Sequence, residues 1–182
     1  VLIGEAAAEW SRDGQELTIT PAAPLVAGEA FTVLVRYSGV PEALTSVAIP
    51  VLTGWVPYEG ENCPCVFVLS EPDGAANFFP VNDHPLDKAT YQLSVTVPKP
   101  YEVAMNGTLL AEIDGGDSTT TVTEVTSPMA SYLVTINLAD FDLVTETGEN
   151  GVPLRNYFEV GVSDEVRAFF DRQDEMLGYF AG

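Results

Sequence analysis

The chemistry open to this chain is limited by its single histidine. His84 is followed by Pro85 in a turn rich in proline, asparagine and aspartate. A zinc hydrolase motif needs two histidines one helical turn apart with a glutamate beside them, and one histidine cannot supply it. The Gly-x-Ser-x-Gly sequence of many serine hydrolases is also absent. The residues therefore argue against a zinc hydrolase or a serine hydrolase within the 182 residues.

Two cysteines, Cys63 and Cys65, flank Pro64. They are too few for a disulfide framework, and a zinc site would need more ligands nearby. A bridge between them would be strained, because Pro64 constrains the short loop that it would close. The sequence favours two small residues without a bridge at the start of a strand.

Glu71 is the carboxylate that its neighbours hold most firmly. It follows Leu69 and Ser70 at the end of an apolar run that begins at Cys65, and Pro72 comes next. A carboxylate preorganised in this way could pair with a substrate amine, or it could be a strand-terminal acid that faces water. The residues alone favour the second interpretation. A pair of carboxylates for sugar hydrolysis stays an alternative, since acidic residues are abundant.

The charge of the chain excludes some partners. Seven basic and 27 acidic residues give a net charge of −20, which repels nucleic acid and anionic membrane surfaces. Cationic groups such as peptide amines would be attracted, although an acidic surface also serves solubility alone. No run approaches the roughly 18 apolar residues of a membrane helix, so we expect no membrane insertion. The sequence does not indicate a cellular location.

Apolar and polar residues alternate in many short segments, as in strands with one buried face. The predicted strands are residues 16–20, 31–37, 46–52, 65–69, 90–97, 101–105, 108–113, 118–126, 131–138 and 155–160. Residues 65–69 are apolar throughout, so we expect both faces of that strand to be covered, which places it centrally in its sheet or between layers. With 46% hydrophobic residues the chain can bury one substantial core. The sequence predicts an all-β protein.

Turns and loops separate these strands. Residues 54–58, which include Trp55 and Pro57, are predicted to form a packed loop. Asn106-Gly107 is a strong signal for a two-residue hairpin between its flanking strands. The run DGGD at 114–117 predicts a second turn, which completes a three-stranded meander. Calcium binding by this turn is an alternative.

Residues 163–182 change character. Ser163 fits an N-cap, Asp164 and Glu165 suit the positive end of a helix, and apolar residues recur at helical spacing from Val166 onward. The sequence thus predicts a β-domain at 1–162 and one amphipathic helix at 163–182. This helix either packs on a sheet edge or leads into a further domain, and we favour the second.

A family resemblance rests on residues 79–85 (FPVNDHP), 87–91 (DKATY) and 95–98 (VTVP). Together with Ser70-Glu71-Pro72 and Gly54-Trp55, this pattern closely resembles the amino-terminal β-domain of zinc aminopeptidases. These enzymes form the aminopeptidase N and leukotriene-hydrolase-like family. The resemblance covers nearly the whole chain, and the block at 79–98 is its most specific part.

The resemblance implies a saddle-like or sandwich-like all-β domain that packs on a thermolysin-like catalytic domain and closes one side of the peptide site. It assigns the binding of the peptide's free amino group to Glu71, with Ser70 and Leu69 beside it. Family members often have glutamine where this chain has Leu69. The parent protein would be a zinc-dependent aminopeptidase that acts on peptide substrates.

The zinc ligands of that parent lie outside this chain, and so does the Gly-x-Met-Glu-Asn loop of the family. The chain therefore resembles a domain trimmed at both ends, and we expect it to be inactive alone. A rival interpretation is an acidic β-sandwich interaction module that binds protein or carbohydrate, assisted by calcium.

Overall fold

A computed structural model describes residues 1–59, 64–148 and 151–181. Every strand pairing in these residues is antiparallel. Helical structure is confined to short turns and to the end of the described chain. The prediction of an all-β fold with mostly antiparallel sheets and a C-terminal helix is confirmed.

The described elements are short, as expected for a chain with many turn residues. The strands are β1 (Leu2–Ile3), β2 (Ala6–Ala7), β3 (Glu9–Asp13), β4 (Glu16–Thr20), β5 (Val33–Leu34), β6 (Leu44–Thr45), β7 (Leu52–Glu59), β8 (Pro64–Leu69), β9 (Ala89–Pro98), β10 (Glu102–Met105), β11 (Thr108–Asp114), β12 (Ser118–Met129), β13 (Ile136–Ala139), β14 (Phe141–Thr147) and β15 (Pro153–Glu159). The helices are α1 (Asp164–Arg167) and α2 (Gln173–Ala181), and 3₁₀ turns lie at Ala75–Asn77, Ser131–Leu133 and Ala168–Phe170.

The main sheet has the strand order β10-β13-β8-β7-β6. A second sheet, of order β11-β12-β9, contributes Val97 to a core cluster that it shares with Val103 and Met105 of β10. The apolar residues of β9 alternate with exposed polar ones, as predicted. Burial of each such aliphatic side chain stabilises the fold by about 1.5–3 kcal/mol. The cluster therefore stabilises the packing of the two sheets against each other.

Strand β8 is central in the main sheet, as predicted, but its two faces differ. On one face Val66 is half-buried and Val68 is buried, whereas on the other face Cys65 is buried but Phe67 and Leu69 are about two-fifths exposed. The prediction that both faces are covered is therefore wrong for the face that carries Phe67 and Leu69. An apolar run indicates a central strand. It does not require that other residues of this chain cover both faces of that strand.

Cys65 is disulfide-bonded and buried, so its interpretation as an unbridged small residue is wrong. Its side chain packs in a core cluster with Ala139, and spacing along the sequence does not reveal that environment. The prediction for Cys63 falls outside the described residues.

The predicted loop at 54–58 is instead part of strand β7. Pro57 argued against a strand, because proline has no N–H group to donate to a ladder. However, β6 pairs only with Leu52 and Thr53, so β7 is an edge strand beyond that point. Proline is tolerated at an edge, which explains the error.

The predicted hairpin at Asn106-Gly107 is also wrong. β10 pairs with β13 and β11 pairs with β12, so the two residues connect different sheets. The Asn106 side-chain oxygen accepts a hydrogen bond from the Thr135 N–H at 2.7 Å. This long-range bond competes with local turn geometry, and the third strand beside the β11–β12 hairpin is β9.

Other strand boundaries differ from the predicted ones, because the strand propensity of a segment does not show whether a partner strand lies beside it. Within the predicted strand 31–37 only Val33–Leu34 pairs, and of 46–52 only Leu52 does. The segment 131–138 begins as a 3₁₀ turn before β13, and β14 was not predicted. The strands at 16–20 and 155–160 were predicted within two residues of their observed bounds.

The tail begins as predicted. Ser163 caps α1, and its side-chain oxygen accepts from the Val166 N–H at 3.4 Å. Arg167 forms an ion pair with Asp142 of β14 at 2.5 Å and lies 4.9 Å from the ring centroid of Phe158. The start of the tail therefore packs on the β14–β15 hairpin.

No described helix combines the length and the apolar character that a bilayer crossing needs.

Candidate functional site

The candidate site is a tight corner at the end of β8, and it comprises residues 69–77. Leu69 is paired with Gly54 of β7, and the chain leaves the sheet immediately afterwards. The Gly74 N–H donates to the Ser70 carbonyl at 2.8 Å, which closes the turn. This bond places Glu71 and Pro72 at the tip of the corner.

Two glycines allow the corner to lie directly on β7. A Cβ atom on Gly74 would be 2.5 Å from the Gly54 nitrogen and 2.9 Å from the Ser70 Cα. Gly54 has a φ of +80°, and a Cβ there would meet the Asn77 side chain at 2.7 Å. A side chain at either position would therefore separate the corner from the sheet.

Asn77 fastens the far side of the corner. Its side-chain oxygen accepts from the Trp55 N–H at 3.0 Å, and its amide nitrogen donates to the Glu42 carbonyl at 2.6 Å. These bonds tie the 3₁₀ turn to both β7 and the segment before β6. The turn therefore cannot shift without the loss of two hydrogen bonds.

The proline-rich turn that follows the corner is hydrogen-bonded to it and holds it in place. Asp83 accepts from the Ser131 hydroxyl at 2.6 Å and from the Ala76 N–H at 3.3 Å. Asn82 donates to the Asp87 carboxylate at 2.7 Å. The turn thus acts as a brace between the corner and the 3₁₀ turn at Ser131–Leu133.

The structure brings Leu69, Ser70 and Glu71 together because they are consecutive, but their environments differ. Glu71 is exposed and forms no hydrogen bond or ion pair with the described residues. Ser70 is only 2% exposed, and Leu69 is 40% exposed. A ligand arriving from solvent would meet the Glu71 carboxylate and the Leu69 side chain, with Ser70 buried beneath them.

Buried polar atoms that lack partners lie at the base of the corner. Within the described residues they include the hydroxyls of Thr53 and Ser70 and one carboxylate oxygen of Asp73. The other oxygen of Asp73 accepts from the Val47 N–H at 3.1 Å. Buried polar groups are normally satisfied, so these atoms mark a place where the fold is constrained at some cost. The sequence did not indicate Thr53 or Asp73, because the pairing of β7 with β8 brings Thr53 to the corner and the burial of Asp73 is not visible in its turn sequence.

No group of three or more His, Cys, Asp and Glu side chains in the described residues could hold a metal ion. His84 is exposed, and its Nδ1 atom accepts from the Leu86 N–H at 3.2 Å. The residues that the structure describes therefore do not fit a zinc site of the kind found in metallopeptidases.

The predicted turn at 114–117 is present. One oxygen of Asp114 accepts from Lys99 and from the Gly116 N–H, both at 2.8 Å. The hydrogen bond from Lys99 and that from Gly116 hold the pKa of the Asp114 carboxyl below its ordinary value. These contacts are those of a closed turn, and they favour it over calcium binding.

Comparison with protein families decides between the interpretations. Residues 5–133 match the Peptidase M1 N-terminal domain. The chain belongs to this family. The corner at 69–77 and its brace lie within the matched part of this M1 N-terminal domain.

Known relatives agree with the family assignment. Glutamyl aminopeptidase of Sus scrofa is 38% identical over 90 residues, which are 49% of this chain and 10% of the relative. Aminopeptidase N of Acetobacter pasteurianus is 30% identical over 152 residues, which are 83% of this chain and 42% of the relative. This M1 N-terminal domain thus spans less than half the length of either relative.

Solved structures share the fold. An M1 zinc metallopeptidase from Deinococcus radiodurans superposes with a TM-score of 0.76 at 25% identity. The superposition covers 89% of this chain and 37% of that one. A two-domain M1 zinc metallopeptidase mutant bound to L-arginine matches with the same TM-score and coverage.

Proposed function

We propose that this M1 N-terminal domain forms one wall of the peptide site in a zinc-dependent aminopeptidase and that Glu71 binds the free amino group of the peptide. The membership in the family and the names of the relatives support the activity of the parent. The single observation that carries the role of Glu71 is its exposed, unpaired carboxylate on a corner that is braced from several sides.

The chemistry of a peptide amino terminus suits such a group. In its protonated form the amine is positively charged and presents N–H donors. A carboxylate accepts hydrogen bonds from such donors with about twice the strength of a neutral acceptor. Because Glu71 has no partner among the described residues, a ligand would not need to displace an internal ion pair. The fixed corner also reduces the entropy lost when the contact forms.

The catalytic zinc and its ligands belong, in this proposal, to a part of the parent outside this chain. When bound there, zinc activates the water that attacks the peptide bond. This domain contributes substrate binding and has no step of its own in the bond cleavage.

We also propose that the exposed apolar side chains of the tail contact the catalytic domain of the parent. Phe169, Tyr179 and Phe180 are each at least three-quarters exposed. Large apolar surfaces of this kind mark interaction sites. The exposed Phe67 and Leu69 of β8 would be covered by the same neighbour or by the substrate.

The test is a substitution of Glu71→Gln in the full-length parent, with kcat/KM measured on aminoacyl anilides. In the proposed complex the peptide and the catalytic domain bury this pair, and loss of one partner of a buried charged pair costs about 2–5 kcal/mol, so we expect kcat/KM to fall by at least about thirtyfold. Glu16→Gln, an exposed acid in the β3–β4 hairpin, is the matched control. An unchanged kcat/KM for the Glu71 variant would refute its role.

A further inference from the structure

A cavity of about 310 Å³ lies between the β3–β4 hairpin and the segment that follows the corner at 69–77. Its walls come from the hairpin, from residues 35–37 and from residues 76–80. The volume is at the lower end of the range for small-molecule sites, which is about 300–1,000 Å³. The cavity is therefore large enough for a ligand of one or two rings.

The strand register explains how the hairpin forms one wall. Arg12 is paired with Leu17 across the hairpin, and Trp10 lies two residues before Arg12 on the same strand. Opposite partners, and residues two apart, project from the same face of an antiparallel pair. Trp10, Arg12 and Leu17 therefore share the face that lines the cavity.

Hydrogen bonds hold the other walls in place. The Tyr37 hydroxyl donates to the Phe78 carbonyl at 2.8 Å, which joins residues 35–37 to residues 76–80. The rings of Phe78 and Phe79 are in contact, with centroids 5.0 Å apart. The Arg12 Nε atom donates to the Gly14 carbonyl at 2.9 Å, so the guanidinium is oriented before any ligand arrives.

The charges around the cavity are unlike those of the rest of the chain. None of the described lining residues is acidic, although the chain has 27 acidic and 7 basic residues. Two of those basic residues, Arg12 and Arg36, line the cavity. Arg36 forms no hydrogen bond or ion pair with the described residues, and Arg12 donates to a neutral carbonyl. Two guanidinium groups thus remain without a carboxylate in a strongly acidic chain.

Apolar rings complete the lining. Trp10 and Tyr37 are 59% and 61% exposed, so their faces are open to a ligand. Aromatic rings favour offset stacking or edge contact with a planar group. Guanidinium groups bind carboxylates through two parallel hydrogen bonds.

We propose that this cavity binds a small aromatic carboxylate, with the anion held by Arg12 and Arg36 and the ring packed against Trp10, Tyr37 and Phe79. The cavity shares Ala76 and Asn77 with the corner but is not lined by Glu71, and a site for an amine needs a negative charge whereas this cavity has the opposite one. The proposal does not depend on the role of Glu71.

The test uses the 182-residue chain and two probes that differ in charge alone, 2-naphthoate and 2-naphthamide, in isothermal titration calorimetry. A hydrogen bond to a charged group is worth about tenfold or more in affinity, so naphthoate should bind at least about tenfold tighter than naphthamide. Arg36→Gln should reduce that preference severalfold, since Arg12 alone would then hold the anion, and it should leave the affinity for naphthamide unchanged. Arg172→Gln is the control, since Arg172 pairs with Glu175 in the tail.

A second variant separates the ring contacts from the charge. Trp10→Leu should weaken both probes by similar factors, and unchanged far-UV circular dichroism will establish that each variant is folded. Equal affinities of the two probes, or no binding of either, would overturn the proposal. A naphthoate affinity that falls as the protein concentration rises would assign the cavity to a second copy of the chain, and this too would overturn it.

Discussion

Replacement of Gly74 by alanine tests whether direct backbone contact holds the corner on β7. A new Cβ atom would lie 2.5 Å from the Gly54 nitrogen and 2.9 Å from the Ser70 Cα. Both neighbours are backbone atoms, so neither can move away by rotation of a side chain. Gly74 has φ −109° and ψ −10°, which any residue can adopt, so the clash alone causes the effect.

The expected magnitude follows from these distances. Ordinary Cβ contacts begin at 3.4 Å, so the corner must move by about 0.9 Å. Overpacking of a fixed structure costs about 1–3 kcal/mol, and we expect the upper part of that range, about 2–3 kcal/mol. For a domain of this size the melting temperature should fall by about 4–12 °C.

Urea denaturation followed by tryptophan fluorescence measures this loss directly, because Trp55 lies next to the corner. Gly178→Ala is the matched control, since a Cβ there meets nothing within 4 Å. Gly178 lies inside α2, so alanine should stabilise the chain by about 0.5–1 kcal/mol. If Gly74→Ala changes the free energy of unfolding by less than about 0.5 kcal/mol, the described contact between the corner and β7 is not a constraint.

We also expect measurable effects from changes around the corner and from the charge of Glu102 in β10 of the main sheet. Asn77→Ala removes two hydrogen bonds and should lower the free energy of unfolding by about 1–3 kcal/mol; an unchanged urea midpoint would contradict this. Thr53→Val should be neutral or stabilising by about 1 kcal/mol because the buried hydroxyl lacks a partner in the described residues, whereas Thr135→Val, whose hydroxyl donates to the Val68 carbonyl at 3.1 Å, should destabilise by a similar amount. A loss at residue 53 as large as that at residue 135 would show that the Thr53 hydroxyl is satisfied. Burial, and then the charges of Glu112, Asp140 and Asp142, raise the pKa of Glu102 above 4.5, so the free energy of unfolding should fall as the pH rises from the ordinary pKa through the raised one. Glu102→Gln should remove this slope and raise the melting temperature at pH 7, and parallel pH profiles for the two proteins would refute the assignment.

Local pattern sufficed where a segment finds its partner nearby. The alternation in β9 and the turn at 114–117 are properties of a few consecutive residues, and both were predicted. The Ser163 cap was found for the same reason, since its partner Val166 is three residues away. Such features depend on spacing that the sequence displays directly.

Long-range contacts explain what local pattern missed. The Asn106-Gly107 turn joins two sheets because Asn106 bonds to Thr135, and no local signal reports that bond. Pro57 lies in a strand because β6 pairs only with Leu52 and Thr53, and local pattern does not report where that pairing stops.

The candidate site shows the same division. The proline and acidic residues after β8 indicated a fixed turn, and Glu71 stood out for that reason. The part played by Gly54, Gly74 and Asn77 depends on the approach of two backbones, which composition does not encode. The resemblance at 79–98 led to the correct family, because the sequence pattern of a family reflects such contacts indirectly.

The most direct measurement of the central proposal is a crystal structure of the full-length parent with an amino acid bound at its peptide site. The account predicts that a carboxylate oxygen of Glu71 lies about 2.7–2.9 Å from the ligand's amino nitrogen, the usual length of a charged N–H···O bond. An amino group bound by other residues, with Glu71 directed into solvent, would contradict it.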